Sequence, residues 1–319
     1  MEESQDPFKK GGFQKIGTAV KQSLAVVRDA MLGNRDVIPT KWPRLNRNLL
    51  GGLQKGKLYV VAGRPGVGKS AFSNQLIFDV LDSNPETAMV VLYWTFEMPG
   101  YQQVMRSASK DLKKGLGELF SLDKPLSKKD FESYASNATR YNKYEIYFNN
   151  HPRSMEFIIK ANERIFVAYP NKTIINVFDH SRLISGKSET ELQRLNVVSK
   201  GCMYLQSKMG TVNILLSQLN RNIEYRVDAV PRLSDLAESG NLEQDAEIVA
   251  FTHYPYISRY GEEDTTGRVW TENELQLVVS KNRYGTTGTV EIGYSGDSCK
   301  LFDDLKAATN HEAEKKQFE

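Results

Sequence analysis

Cysteine is scarce in this chain: Cys202 and Cys299 are the only two in 319 residues. They lie far apart and show no metal-ligand spacing, which argues against a disulfide scaffold and fits a reducing compartment. No apolar run approaches the length that spans a bilayer, and no stretch has the build of a secretory leader. The expectation is a soluble cytoplasmic protein with no membrane partner. Excess charge is lacking too. The 42 Lys and Arg set against 39 Asp and Glu leave a formal +3, so contact with nucleic acid has to come from a local groove and not from a globally basic surface. Internal repeats are absent. An apolar fraction of 40 % is ample for one large α/β domain or two small ones.

Against this plain background stands Gly63-Arg64-Pro65-Gly66-Val67-Gly68-Lys69-Ser70, a complete G-x-x-x-x-G-K-[ST] loop. An apolar strand-like run, Leu58 to Ala62, precedes it. An apolar helical pattern through Ala71, Phe72, Leu76, Ile77, Val80 and Leu81 comes after it, which is the context the motif requires. Glycines let the backbone curl so that its N–H groups point inward, and with the following helix N-terminus they make an anion site. Lys69 is placed to reach the β- and γ-phosphates and the Ser70 hydroxyl to ligate Mg²⁺. The motif predicts a nucleoside triphosphate binder.

Before this loop, Met1 to about Gly12 reads as a flexible start. Phe13, Ile16, Val20, Leu24, Val27 and Met31 then recur in steps of three and four on one face of a helix that ends near Gly33-Asn34. Its apolar stripe calls for a cover, either its own domain or a neighbouring subunit. Prolines at Ile38-Pro39 and Trp42-Pro43 separate it from the rest of the chain. This gives an N-terminal arm over 1–38, with its helix at about 13–33, a main domain over 39–303 and a charged, frayed tail over 304–319. In the main domain strand and helix patterns alternate. Strands are expected at 88–95, 173–178, 212–217, 248–251, 275–280 and 289–294, with helices at 128–141, 154–167 with Ser154 as N-cap, and 189–209. This is the signature of an α/β fold with a mainly parallel twisted sheet and helices on both faces.

In such sheets ligands collect beyond the carboxyl ends of the strands. Asp179 follows Val177-Phe178 and can hold a water of the Mg²⁺ shell opposite Ser70. Glu97 follows Thr95-Phe96 and suits a base that polarises an attacking water. Gln218 follows Leu216-Ser217, where an amide can sense a γ-phosphate. Lys281 and Arg283 leave one face of a strand-like segment, and Gly285 and Gly288 favour a hairpin turn beyond them. Spacing alone leaves two readings for that pair: a solvated strand edge, or a cationic finger on a phosphoryl group.

The ordered set Ala62 to Ser70, Phe96-Glu97-Met98-Pro99 with Arg106, Asp179, and Leu216 to Arg221 resembles the RecA-like ATPase domain of DnaB-type replicative helicases. So do Ser234-Asp235-Leu236, Glu238-Ser239-Gly240, Glu243 to Ala246, and Lys281 with Arg283 and Thr287 to Val290. Similarity extends from about Leu50 to Phe302. The resemblance implies an ATP- and Mg²⁺-dependent DNA helicase: a hexameric ring that draws single-stranded DNA through its channel, 5′ to 3′. It implies Lys69 and Gln218 on the phosphates, Glu97 as base, Asp179 as Mg²⁺ partner and Lys281 and Arg283 entering the neighbour's site. Strand contact falls to the Ser234 to Gly240 stretch, at Ala237, Glu238 and Gly240, and the 13–33 helix becomes a linker docking on the adjacent subunit.

Departures from the family pattern are equally visible. Ala237 stands where an arginine usually precedes Glu-Ser-Gly, His180 where a tyrosine is expected, and Tyr284 where an asparagine is. Family members carry a separate helical N-terminal domain, and the stretch before Phe13 is too short for one, so a primase or loader has to be engaged otherwise or not at all. The expectation is a divergent short form, from a phage or mobile element. Two rival functions remain: a nucleotide-switched RecA-like filament on single strands, and an ATP-binding ring adaptor of low turnover.

Overall fold

The computed structural model describes residues 13–33, 36–96, 98–180, 184, 190–236, 240–259, 262–264 and 266–318. The chain divides into two units, Met1–Val37 and Ile38–Glu319. In the first, helix α1 runs over Ile16–Met31, where the apolar spacing predicts it, and gives way at Leu32 to Gly33, whose φ of 75° suits glycine. None of its residues is buried, and Ile16, Leu24, Val27 and Met31 are all more than half exposed.

The second unit is built on a sheet of nine strands. These are β1 Lys57–Gly63, β2 Met89–Thr95, β3 Ile146–Asn149, β4 Thr173–Asp179, β5 Val212–Gln218, β6 Ile248–His253, β7 Glu274–Asn282, β8 Gly288–Ser295 and β9 Lys300–Phe302. Their spatial order is β9-β8-β7-β6-β1-β5-β4-β2-β3. The run from β6 to β3 is parallel throughout. The other three strands join antiparallel at one side. The helices are α2 Lys69–Ser83, α3 Gly100–Leu112, α4 Lys128–Tyr141, α5 Met155–Ala168, α6 Glu191–Met209, the short α7 Gly240–Asp245 and α8 Leu305–Phe318, with two further short helices at Pro43–Asn48 and Pro255–Arg259.

Because side chains alternate along a strand, each central strand feeds two cores. Tyr59, Val61, Val91, Tyr93, Val177 and Ile214 point to the face covered by Phe72, Leu76, Ile77 and Val80 of α2. Val60, Ala62, Leu92, Trp94, Phe178 and Leu215 point to the other, covered by Ile158 of α5 and Val198, Cys202 and Leu205 of α6. At roughly 1.5–3 kcal/mol per fully buried large side chain, these two layers fix the strand ends relative to one another. One polar row interrupts the second layer. Asn176 exchanges hydrogen bonds with Asn162 at 2.9 and 3.1 Å, donates to Asn213 Oδ1 at 3.1 Å and accepts from Trp94 Nε1 at 3.1 Å. Fully partnered amides of this kind fix the register of three strands and a helix, and removing one strands the others.

Helix caps follow the sequence. Ser154 accepts from the Phe157 amide at the start of α5, and Thr190 with Gln193 forms a capping box at the start of α6. The expected frayed tail is a correction: Leu305–Phe318 is helical, with Ala308 and His311 buried. Gly293 of β8 makes room for it, since a Cβ there would meet Asp304 O at 2.5 Å and Ala308 Cβ at 2.7 Å. Among the described residues, no helix is long and apolar enough to cross a membrane.

Candidate functional site

The carboxyl ends of β1, β5, β4 and β2 lie side by side, with Gly63 level with Gln218 and Asp179 level with Thr95. From β1 the chain enters a turn with Gly66 at φ 80° and Gly68 at φ 84°, conformations that a Cβ disfavours. It then starts α2, where the Phe72 amide donates to Gly68 O at 2.8 Å. Lys69 curls back over the loop, and its Nζ donates to Gly63 O at 2.9 Å and Arg64 O at 2.8 Å. The loop is tied to its surroundings by Arg64, which donates to Leu219 O at 2.9 Å and pairs with Glu224 at 2.7 Å. Glu224 and this tie have no signature in the motif and are not legible from it.

Ser70 Oγ donates to Asp179 Oδ1 at 3.2 Å. The two residues that the sequence pairs across more than a hundred positions therefore meet at the end of β4, where Asp179 is 4 % exposed. A hydroxyl and a carboxylate at this distance form an oxygen donor pair of the kind that Mg²⁺ takes. Beneath them Ser73 Oγ and the Tyr93 phenol share a hydrogen bond at 3.2 Å, and burial, with Asp179 nearby, holds that phenol well above its usual pKa. Among the described residues, no group of three His, Cys, Asp or Glu side chains gathers as a metal site.

Gln218 ends β5, the strand between those of Gly63 and Asp179, level with Gly63 and about two residues beyond the level of Asp179. Glu97 lies outside the described residues. Its neighbours are held close to Asp179, since the Phe96 amide donates to Asp179 O at 3.0 Å and Thr95 Oγ1 donates to Met98 O at 2.5 Å. His180 is buried directly after Asp179. Arg106 on α3 keeps its Nε and Nη1 buried without a hydrogen-bond partner.

Lys281 and Arg283 are not part of this cluster. Lys281 pairs with Val249 in the ladder, and the Arg283 amide donates to Glu247 O at 2.9 Å. Glu247 in turn donates from its amide to Leu58 O at 3.1 Å, so Arg283 sits level with the beginning of β1, whereas Lys281, opposite Val249, sits level with Val60 in its middle. Gly63 lies further along that strand by about 17 Å from the first level and about 10 Å from the second, at roughly 3.3 Å per residue. The pairing of β7 with β8 ends at Val279, so beyond it the chain is laddered to β6 alone and Arg283 is exposed, as the solvated-edge reading expects. Both cations also face the end of α7. Lys281 Nζ donates to Glu243 O and, at 3.1 Å, to Gln244 O, and Arg283 donates to Gln244 O at 3.0 Å. Burial, and next the Arg283 charge, pull the Lys281 pKa below the ordinary lysine value.

Of the stretch expected to contact a nucleic-acid strand, Ser234 lies in a 3₁₀ turn over Leu233–Asp235, and Leu236 bridges to Leu219 directly after Gln218. Asp235 is clamped by Arg226 at 2.7 Å. Ala237 and Glu238 lie outside the described residues, and Gly240 opens α7.

Comparison with known proteins agrees with this geometry. The profile of the DnaB-like helicase C terminal domain matches residues 37–303. The replicative DNA helicase DnaB of Geobacillus stearothermophilus is 30 % identical over 298 residues, covering 89 % of this chain and 61 % of that protein. The replicative DNA helicase DnaC of Bacillus subtilis is 30 % identical over 287 residues, covering 88 % of this chain and 60 % of that one. The chain thus spans about three fifths of the length of these relatives. Among solved structures, a DnaB-like replicative helicase, described together with its interactions with primase, superposes with a TM-score of 0.77 at 21 % identity, covering 88 % of this chain and 66 % of that one. A separately solved ATPase domain superposes at 0.78, also at 21 % identity, covering 89 % of this chain and 98 % of that domain. At that identity the structural likeness speaks for the fold, a RecA-like α/β ATPase architecture. Together with the profile match, it places the chain in the DnaB-like helicase C-terminal domain family.

Proposed function

We propose that this chain is the motor of an ATP-dependent DNA helicase, acting as a cytoplasmic hexameric ring that moves 5′ to 3′ along single-stranded DNA. The observation that carries this reading is the separation of two halves of one site. Lys69, Ser70, Asp179 and Gln218 gather at the carboxyl ends of the strands, whereas Arg283 lies level with the start of β1 and Lys281 with its middle, and both turn to α7 and not to the phosphate loop. A chain so built completes its phosphate pocket only with the cations of an adjoining copy.

In that pocket the loop from Gly63 to Gly68 cradles the phosphates with its amides, and Lys69 exchanges its two carbonyl partners for β- and γ-phosphate oxygens. Ser70 and Asp179 are the residues that would hold Mg²⁺, which when bound neutralises charge on the phosphate oxygens. Glu97 takes the proton of the attacking water, and Gln218 reports whether the γ-phosphate is present. Lys281 and Arg283 of the next subunit stabilise the charge that spreads over the transferring group. The segment after Leu236 follows the DNA backbone through phosphates and main-chain amides and is sequence-tolerant. The unpartnered apolar face of α1 docks on the neighbouring subunit. A primase or a loader, met directly or through parts beyond this chain, completes the assembly.

Unwinding of a forked duplex tests this reading. With ATP and Mg²⁺, forks carrying a 5′ single-stranded tail should open and forks carrying only a 3′ tail should not. Hydrolysis of ATP with no opening of either fork would contradict it.

A further inference from the structure

The finger cations have an occupation inside their own chain. Lys281 Nζ and Arg283 converge on the carbonyl oxygen of Gln244, and Lys281 also takes that of Glu243. These carbonyls close the last turn of α7, the helix that begins at Gly240, directly behind the strand-contacting stretch. The final carbonyls of a helix have no partner within it and are satisfied by cations. A helix of six residues is too short to hold itself without such ties.

The front of α7 is anchored separately: Leu242 is fully buried in the core beneath α6, and Asn241 donates to Asn196 Oδ1 at 2.9 Å. At its end Asp245 accepts from Ser199 Oγ at 2.7 Å and pairs with Lys200 at 3.0 Å, and the Ala246 amide donates to Leu242 O at 3.1 Å. From Glu247 onward the chain is locked into the sheet through Leu58 and Arg283 main-chain bonds. The cations thus control a short stretch between the DNA segment and a rigid strand. A γ-phosphate draws these cations more strongly than a peptide carbonyl, since it adds a charge–charge attraction and an acceptor geometry that a guanidinium matches bidentately.

We propose that Lys281 and Arg283 act as a latch with two positions: they hold the carbonyl end of α7 in their own chain, or the triphosphate bound to the adjoining chain. ATP in one pocket thereby loosens the segment behind the DNA-contacting stretch of the subunit next door, and loss of the γ-phosphate restores the cap. This rests on the trans-completed pocket proposed above and adds what the cations leave when they enter it. The other end of the segment is tied differently, through Leu236, Leu219 and Arg64 to the chain's own phosphate loop. One DNA segment therefore stands between two nucleotides, its own at the Leu236 end and the neighbour's at the α7 end.

Hydrogen exchange on the full-length oligomer tests the latch, with no nucleotide, with Mg²⁺-ADP, and with Mg²⁺ and the β,γ-imido analogue of ATP. Amides from Glu243 to Ala246 should exchange about fivefold faster with the analogue than in the other two states, while those of β6 stay unchanged. In the Lys281→Gln/Arg283→Gln double variant the same amides should be fast in all three states. Equal protection of α7 in every state of the unaltered protein overturns the latch, and so does a nucleotide response that survives in the double variant. Turnover of Arg283→Ala, measured beside it, separates the two claims. Normal hydrolysis there sinks the shared pocket itself, whereas lost hydrolysis with a flat exchange profile sinks only the latch.

Discussion

At the carboxyl ends of β1, β5 and β4, residues from distant parts of the sequence converge to within hydrogen-bond reach, Ser70 on Asp179 at 3.2 Å and Lys69 over its own loop. Away from those ends, Lys281 and Arg283 hold the carbonyls of Glu243 and Gln244, and Arg283 also pairs with Glu247 at 3.8 Å. On the reading proposed above, the first region binds the nucleotide within one copy, and the second acts on it only when two copies meet. Binding and turnover should therefore separate cleanly by mutation, because the two sets of side chains share no contact within one chain.

The largest effect is expected from Arg283→Ala, which should lower ATP turnover by about 10³-fold while leaving nucleotide affinity within a few-fold of normal. Steady-state hydrolysis beside equilibrium binding of a fluorescent ATP analogue reads both. Equal loss of affinity and turnover would merge the two regions into one. Next, Asp179→Asn should reduce turnover by about 10²-fold and raise the Mg²⁺ concentration needed for half-maximal rate, since it weakens the oxygen donor pair with Ser70. A metal titration of the rate checks it, and an unchanged midpoint would remove Asp179 from the metal's neighbourhood.

The platform joining the two regions has its own weak point. Asn176→Leu strands the amides of Asn162 and Asn213 in the buried layer and should destabilise the fold by about 2–3 kcal/mol, visible in a urea unfolding curve. A smaller change is expected from Ala237→Arg, which adds a phosphate contact. It should steepen the salt dependence of single-strand binding by about one unit per added contact, measured as log affinity against log salt. The mildest effect concerns pH. Because burial and Arg283 pull Lys281 below the usual lysine pKa, its charge fades earlier on the alkaline side. Turnover should then fall with rising pH sooner than an ordinary lysine would allow, and Lys281→Arg should push that limb upward.

How much of this could be read from the chain alone depended on whether a residue's partner also carries a pattern. The phosphate loop, Asp179 and Gln218 each follow an apolar strand run, so hydrophobic period and motif locate them together, and the parallel sheet then sets those strands side by side. The caps Ser154 and Thr190 lie where periodic helices begin. By contrast, the partners of Lys281 and Arg283 are main-chain carbonyls, which no side-chain pattern betrays. Asn176 hides in an otherwise apolar strand because its three partners come from other elements. The short strands Ile146–Asn149 and Lys300–Phe302 offer too few alternations to stand out, and both flank longer elements that define them. The charged C-terminal helix buries only Ala308 and His311 among its described side chains, too thin a stripe to announce its docking.

Complementation between two inactive chains tests the shared pocket most directly. Lys69→Ala abolishes the loop's grip and leaves the finger, and Arg283→Ala abolishes the finger and leaves the loop. Assembled together at equal concentration, they should regain about one quarter of normal ATP turnover, because random mixing leaves roughly one interface in four with both halves intact. Mixed oligomers that stay as inactive as either parent would show that each chain hydrolyses nucleotide with its own residues or not at all.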